Sequence, residues 1–385
     1  MSTSSPVQTG GATFTRDVEA AFLELRAPLI SPDMGVPFIQ GLEASLAGRV
    51  ERYGDFGQTS NPKVGLLWTP APPLRLRASY GTSFRAPNMP ELYQPQNASP
   101  VLIGSGANQT LAIVQTGGNT ELQPEHAKTW SFGFDYSPKT LAGLEISATW
   151  FDVRFADQIG QPVASDIRNA LSNPAYAAFV DWVDGTDAAD LARVKAIMAI
   201  STSSNITLFP AEAYRAIVDG RFVNTGEVRV RGLDVSARYG WDRGAHRFDI
   251  EAQASYLADY VRVFTPTASP VQLVDQAGQP VDLRLRLAGV WGRGPFGASL
   301  ALTYVDDYRG DSGEAIEAWT PLDLQARWTP GDGAGPLSGV SVILNLQNVL
   351  DEDPPFYDSP FSVGYDPANA DPLGRYVSLQ LTKRW

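Results

Sequence analysis

The chemistry this sequence could carry has few candidate residues. Histidine occurs twice, at His126 and His246, and cysteine not at all. The two histidines are far apart, and neither has a second histidine at ligand spacing, so no zinc site is indicated. No Gly-x-Ser-x-Gly elbow, Walker loop or dinucleotide fingerprint is present. The sequence therefore reads as a non-enzyme with no metal and no cofactor. Asp351, Glu352, Asp353 and Asp358 cluster in one stretch. Clustered carboxylates suit a hard cation, but this spacing fits no calcium loop, and a solvated acidic loop is the expectation.

Arginine remains. Arg75, Arg77, Arg85, Arg284, Arg286 and Arg327 alternate with apolar residues in their segments. Guanidinium groups on one side of a wall would favour an anionic ligand. The competing expectation is a mixed-sign wall that hydrogen-bonds to water or to a plug. It would also hold Asp135, Glu145, Asp234, Arg238, Asp249, Glu251, Asp282 and Asp323.

The elements that would position these arginines follow from the pattern. The chain has 385 residues and a net charge of −12, with no basic run, which disfavours nucleic acid as a partner. No apolar run reaches the ~18–20 residues of a membrane helix. Alternation of period two recurs instead. In Gly374–Trp385, Val377, Leu379 and Leu381 alternate with Ser378, Gln380 and Thr382. In Leu74–Arg85, Leu74, Leu76, Ala78, Tyr80 and Phe84 alternate with polar residues. Trp130, Phe132, Phe134 and Tyr136 share one face of Lys128–Tyr136. One apolar and one polar face, with aromatics at the boundary, suit strands that cross a membrane. The four aromatics and the terminal Trp385 are expected to be membrane anchors, with outer-membrane lipid as the partner.

About thirteen such strands can be marked, mostly long enough to span at ~9–11 residues each. They run from Thr13–Leu29, Phe38–Arg52 and Lys63–Thr69 to the terminal strand, with Leu144–Phe155 interrupted by a bulge at Trp150–Phe151. Residues 1–12 are rich in Ser, Thr and Gly and are expected to be disordered; residues 13–385 are expected to form one barrel portion. Long loops at 86–126, 157–220, 264–280, 309–318 and 351–373 alternate with short turns, so the long ones are expected outside the cell. Within 157–220, Leu191, Val194, Ile197 and Met198 have helical spacing. They predict one short helix, capped by Asp187 and packed on its own loop.

Four segments resemble the TonB-dependent outer-membrane receptors. They are LRASYGTSFRAPNMPELY (76–93), NTELQPEHAKTWSFGFDY (119–136), VRGLDVSARY (230–239) and NLQNVLDEDPPF (345–356). Asp234 stands where that family usually has Glu, Trp385 replaces the commoner terminal Phe, and Lys383 occupies an outward position usually apolar or aromatic. The resemblance implies an all-β, antiparallel transmembrane β-barrel wall, an incomplete portion of a barrel of ~22 strands. It also implies a parent that imports a scarce extracellular small-molecule ligand, a siderophore, cobalamin or glycan, by energy-coupled active transport. Nothing resembles the family's plug domain or its TonB box. Contact with the TonB complex is expected only through a missing N-terminal part, which would also carry the export signal. The barrel-assembly machinery is a further expected partner, and the bacterial outer membrane the expected location. Two rival readings are a passive outer-membrane channel and a soluble β-sandwich binding module.

Overall fold

A computed structural model describes residues 7–9, 12–104, 109–224, 226–265, 268–330, 338–358 and 363–383. Its frame is a meander of thirteen long strands, each hydrogen-bonded to its chain neighbours. We number them β1 (Val18–Ile30), β2 (Gly41–Tyr53), β3 (Gly57–Ala71), β4 (Leu74–Arg85), β5 (Glu125–Tyr136), β6 (Leu144–Ala156) and β7 (Val228–Arg243). The rest are β8 (His246–Arg262), β9 (Leu283–Arg293), β10 (Phe296–Val305), β11 (Leu322–Trp328), β12 (Val340–Gln347) and β13 (Tyr376–Lys383). All twelve neighbouring pairs are antiparallel. The sheet is not closed: among the described residues, β1 and β13 each have one wall neighbour.

Where the apolar residues sit decides what kind of wall this is. Leu25 pairs with Leu46, Leu46 with Val64, Val64 with Tyr80 and Tyr80 with Trp130, so one face carries the apolar set from strand to strand. That face is bare: Leu23 is 62% exposed, Leu287 50%, Leu379 69% and Leu381 72%. A water-soluble sandwich would bury such a face, at about 25 cal/mol per Å². A lipid-facing wall needs it outside, because hydrocarbon solvates it while the strands satisfy each other's backbone.

Three expectations shift. The stretch 57–62, expected in a loop, belongs to β3, so the β2–β3 hairpin is longer than predicted. The predicted bulge at Trp150–Phe151 is absent: β6 pairs without a slip on both sides. Trp150 points out and Phe151 in, over Gly232, where a Cβ would lie 2.8 Å from the Phe151 ring. A missing side chain on β7 thus makes room for two consecutive aromatics, and the register slip falls between β7 and β8 instead, at Arg231/Gly232. Thirdly, within the segment expected to be disordered, Val7–Thr9 pairs with Ala12–Phe14 in a small hairpin; the other positions up to 12 lie outside the described residues.

Most of the buried core lies off the wall. The segments 86–126 and 157–220 fold together into a cap. Its sheet runs Val180–Trp182, Ala216–Asp219, Thr110–Thr116, Asn97–Ile103, with the central pair parallel. Alternation works here as it does in a soluble protein. Ile113 and Ile217 face one apolar cluster; Ala112, Val114, Ala216 and Val218 face another. The predicted helix is α1 (Ala188–Ile200), and the Asp187 carboxylate accepts from the backbone N–H of Ala189 and Asp190. Val194 is its buried residue, with Leu191, Ile197 and Met198 beside it. The helix covers Ala98 and Ile113 as well as its own segment, so two loops that are distant in sequence share one core.

Candidate functional site

The inward face of the wall is a ladder of polar residues at matched heights. One level crosses seven strands: Arg77, Gly133, Thr149, Asp234, Ser255, Arg284 and Val305 are paired in succession. Gly133 is the opening that makes it continuous. A Cβ there would stand 2.8 Å from Arg77 Nε, so only glycine lets that side chain lie across β5. Arg77 thereby donates to Asp135, Ser147 and Thr149. Further along the level, Ser255 Oγ donates to Asp234 Oδ1 at 2.7 Å.

Between β6 and β10 the ladder opens into a concave recess of about 470 Å³, lined by Ser147, Thr149, Asp234, Gln253, Ser255, Arg284, Arg286 and Thr303 among others. Arg284 and Arg286 therefore come together, as the sequence pattern allowed. The other candidate arginines do not join them. Arg75 stands opposite Asp135. Arg85 is tied at the cap end of β4 by Glu125 and Glu91. Arg327 lies on β11, opposite Gly297 and Ile343. Even within the recess the two differ. Arg284 reaches up to the Asn369 side chain and the Ala368 carbonyl at 3.4 Å. Arg286 donates to Thr303 Oγ1 at 3.2 Å. The wall is thus a mixed-sign surface, and Arg284 and Arg286 are the two candidate arginines that line its recess.

The candidate anchors face the other way. Trp130, Phe132, Phe134 and Tyr136 are 47%, 46%, 37% and 37% exposed on the outward face, while Asp135 points inward opposite Arg75. Trp385 lies outside the described residues. Lys383 is paired with Val340 on the outward face and donates to the Ser338 carbonyl. At the opposite end from the cap, a second aromatic group forms on the same face. Tyr239, Trp241 and Phe248 stack in succession, and Trp291 Nε1 donates to His246 Nδ1 at 3.0 Å. His246 is thereby occupied as an interfacial hydrogen-bond acceptor, and His126 is exposed on the outward face beside Phe84.

Above the recess, three of the long loops at the cap end are pinned together. Asn369 Nδ2 donates to the Gln279 carbonyl, and Asp366 accepts from the Gly278 N–H. Burial and the neighbouring Asp366 push the Tyr308 phenol up, keeping it protonated and able to donate. Asp275 and Asp282 have raised pKa values, through burial first and then through nearby carboxylates including Asp306. Among the described residues no group of His, Cys, Asp and Glu is arranged to hold a metal ion. The second acidic stretch is used structurally: the Asn348 side chain and the backbone of Glu352 bond to each other, and Asp351 accepts from the Arg375 N–H.

An inside-out strand meander with a polar interior and a folded cap over one mouth defines an outer-membrane β-barrel of the receptor type. The model of the TonB-dependent receptor-like β-barrel family matches residues 3–349, and the chain belongs to that family. Solved structures agree on the fold. The siderophore receptor PirA from Acinetobacter baumannii superposes with a TM-score of 0.63 at 15% identity, covering 96% of this chain and 46% of its own. The ferric enterobactin receptor PfeA from Pseudomonas aeruginosa, solved with enterobactin as a mutant, gives 0.62 at 15% identity, with 96% and 46% covered. The outer membrane transporter YddB from Escherichia coli gives 0.59 at 10%, with 97% and 46% covered. This chain therefore spans about half the length of these receptors. No curated protein sequence matches it. Members of the family and these neighbours are receptors and transporters rather than enzymes.

Proposed function

We propose that this chain is the wall and outer-loop portion of a receptor that takes up a scarce extracellular ligand across the outer membrane by energy-coupled active transport. The ligand class is a siderophore, cobalamin or a glycan. The observation that carries the reading is the recess on the inward ladder beneath the pinned outer loops, with Arg284 and Arg286 on its lining. A polar lining with few free charges can hold a ligand or a plug through hydrogen bonds without trapping either. Coupling to the TonB complex would run through a part of the receptor outside this chain.

The test is uptake by the full-length protein, in cells that lack other receptors, of a panel of radiolabelled ferric siderophores, cobalamin and oligosaccharides. Uptake of one of them that stops when the proton gradient is collapsed supports the reading. Uptake of small solutes regardless of the gradient would show a passive channel instead.

A further inference from the structure

Two of the cap-end loops meet on carboxyl groups that have no counterion. Asp275 and Asp282 belong to the segment 271–282, which leads into β9, while Asp306 and Asp307 follow β10. The Asp282 N–H donates to Asp275 Oδ1 at 2.7 Å, and the Asp282 and Asp306 side chains hydrogen-bond to each other. Two carboxyl groups can share a hydrogen bond only while one of them keeps its proton. Asp306 Oδ1 also accepts from the Tyr304 hydroxyl at 2.8 Å and from the Asp307 N–H at 2.9 Å. None of the four acids has an ion-pair partner among the described residues. The Arg309 side chain turns away to the Gly313 carbonyl at 3.3 Å, and Arg284 is held by Asn369.

Backbone bonds hold the same two loops together. Arg309 N–H donates to the Asp275 carbonyl at 3.0 Å, and Ala277 N–H to the Arg309 carbonyl at 2.8 Å. From there the contacts run to the recess. Gly278 N–H donates to Asp366 Oδ2 at 3.0 Å, and Asn369 Nδ2 to the Gln279 carbonyl at 2.9 Å. The Tyr308 phenol adds a bond to Asp366. Asn369 in turn accepts from Arg284, a residue of the recess lining. The carboxyl cluster and the recess are therefore the two ends of one chain of bonds.

We infer that the cluster is a proton-dependent clasp: protonated, it holds 271–282 over the recess, and ionised, it lets this segment part from 306–309 and from Asn369, which returns Arg284 to the recess. Burial and the neighbouring carboxylates raise Asp275 and Asp282, so the proton persists above the ordinary carboxylate range and leaves as pH rises through the raised values. Once it has left, carboxylates at hydrogen-bond distance repel each other across the two loops. The inference rests on the recess being the ligand site proposed above.

The test uses the full-length protein in liposomes, with any cysteine outside this chain replaced by serine. Gln276→Cys and Pro372→Cys, both exposed positions, carry spin labels on 271–282 and on 363–373. Pulsed EPR reads the distance between them at about pH 4 and about pH 7.5, on either side of the raised carboxyls. One short distance is expected at the lower pH, and its loss from most of the population at the higher. Asp275→Asn with Asp282→Asn should keep the short distance at both, because an amide can bond to Asp306 but cannot ionise. Asp353→Asn, an exposed acid outside the cluster, should leave the shift as it is. The same distance at both pH values would overturn the clasp, as would a shift that persists in the double asparagine variant. The link to the recess is read with pyrenetetrasulfonate, an anion of constant charge, by fluorescence anisotropy at the higher pH. The double asparagine variant should bind it about tenfold more weakly than the intact protein, one charge-assisted hydrogen bond's worth, although it carries two fewer negative charges. Equal or tighter binding would overturn the hold on Arg284. Heat-modifiable gel mobility checks that each variant is folded. The distances are read without a ligand, so an unmoved loop overturns the clasp alone, whereas absence of uptake in cells overturns the ligand site.

Discussion

Gly133 shows how much a single residue can decide in this wall. It is the gap through which Arg77 crosses β5, and it also approaches the Ala148 carbonyl, which a Cβ would meet at 2.6 Å. Gly133→Val should destabilise the folded barrel by about 1–3 kcal/mol, the usual cost of overpacking. Urea titration of the detergent-folded protein, followed by gel mobility, measures it. Arg85 is the other sensitive position. Glu125 and Glu91 are 2% and 8% exposed; each accepts one backbone N–H, from Ile159 and Asn88, and among the described residues Arg85 is their ion-pair partner. Arg85→Ala should cost about 3 kcal/mol, the low end for breaking a buried pair, since Arg85 itself is 41% exposed. The cap should then be cleaved by protease before the wall unfolds. The arginines were visible in the sequence because alternation gives a face to every residue. Their partners were not, because pairing depends on register across strands, and Gly133 carries no signal of its own.

At the scale of elements, the strands and the one helix of 157–220 with its Asp187 cap were legible, and the way the loops fold together was not. A period of two marks a half-lipid strand clearly. The cap folds through a parallel pair between Ala216–Asp219 and Thr110–Thr116, a contact between distant segments that no local pattern encodes. The bulge assigned to Trp150–Phe151 failed for the same reason: the space for Phe151 is made by Gly232 on the next strand. The cluster of cap-end loops has a testable pH dependence. Asp275 and Asp282 are raised in the folded protein. Between the ordinary carboxylate value, about 4, and their raised values, the folded state binds more protons than the unfolded one. Stability of this cluster is therefore greatest at low pH and falls as pH rises through the raised pKa values. Protease nicking in 264–282 should speed up between pH 4 and pH 7 with a protease active throughout. Asp282→Asn should flatten the change, because its backbone bonds to Asp275 and Leu257 are retained.

At the scale of the whole molecule, parity constrains what this wall can do. Thirteen strands in an unbroken antiparallel meander leave β1 and β13 running in the same direction. Closing the ring by antiparallel pairing then requires an odd number of further strands. Without them two edges of N–H and C=O groups face hydrocarbon, each unsatisfied group costing several kcal/mol on the order estimated for lipid. Expressed behind an export signal, the 385-residue chain by itself should give no energy-dependent ligand uptake, measured in a strain lacking receptors. Uptake equal to that of the full-length protein would contradict this.

The central claim is that apolar residues of alternate position face lipid and their neighbours face the lumen. The chain has no cysteine, so once any cysteine outside it is replaced by serine each cysteine introduced here is a unique label site. The measurement is spin-label accessibility at successive positions of β5, Thr129 to Asp135, in the full-length protein in liposomes. Labels at Trp130, Phe132 and Phe134 should collide with oxygen dissolved in the bilayer. Labels at Thr129, Ser131 and Asp135 should collide instead with a water-soluble nickel chelate. Loss of the period of two, or the same period with the two reagents exchanged, would contradict the account.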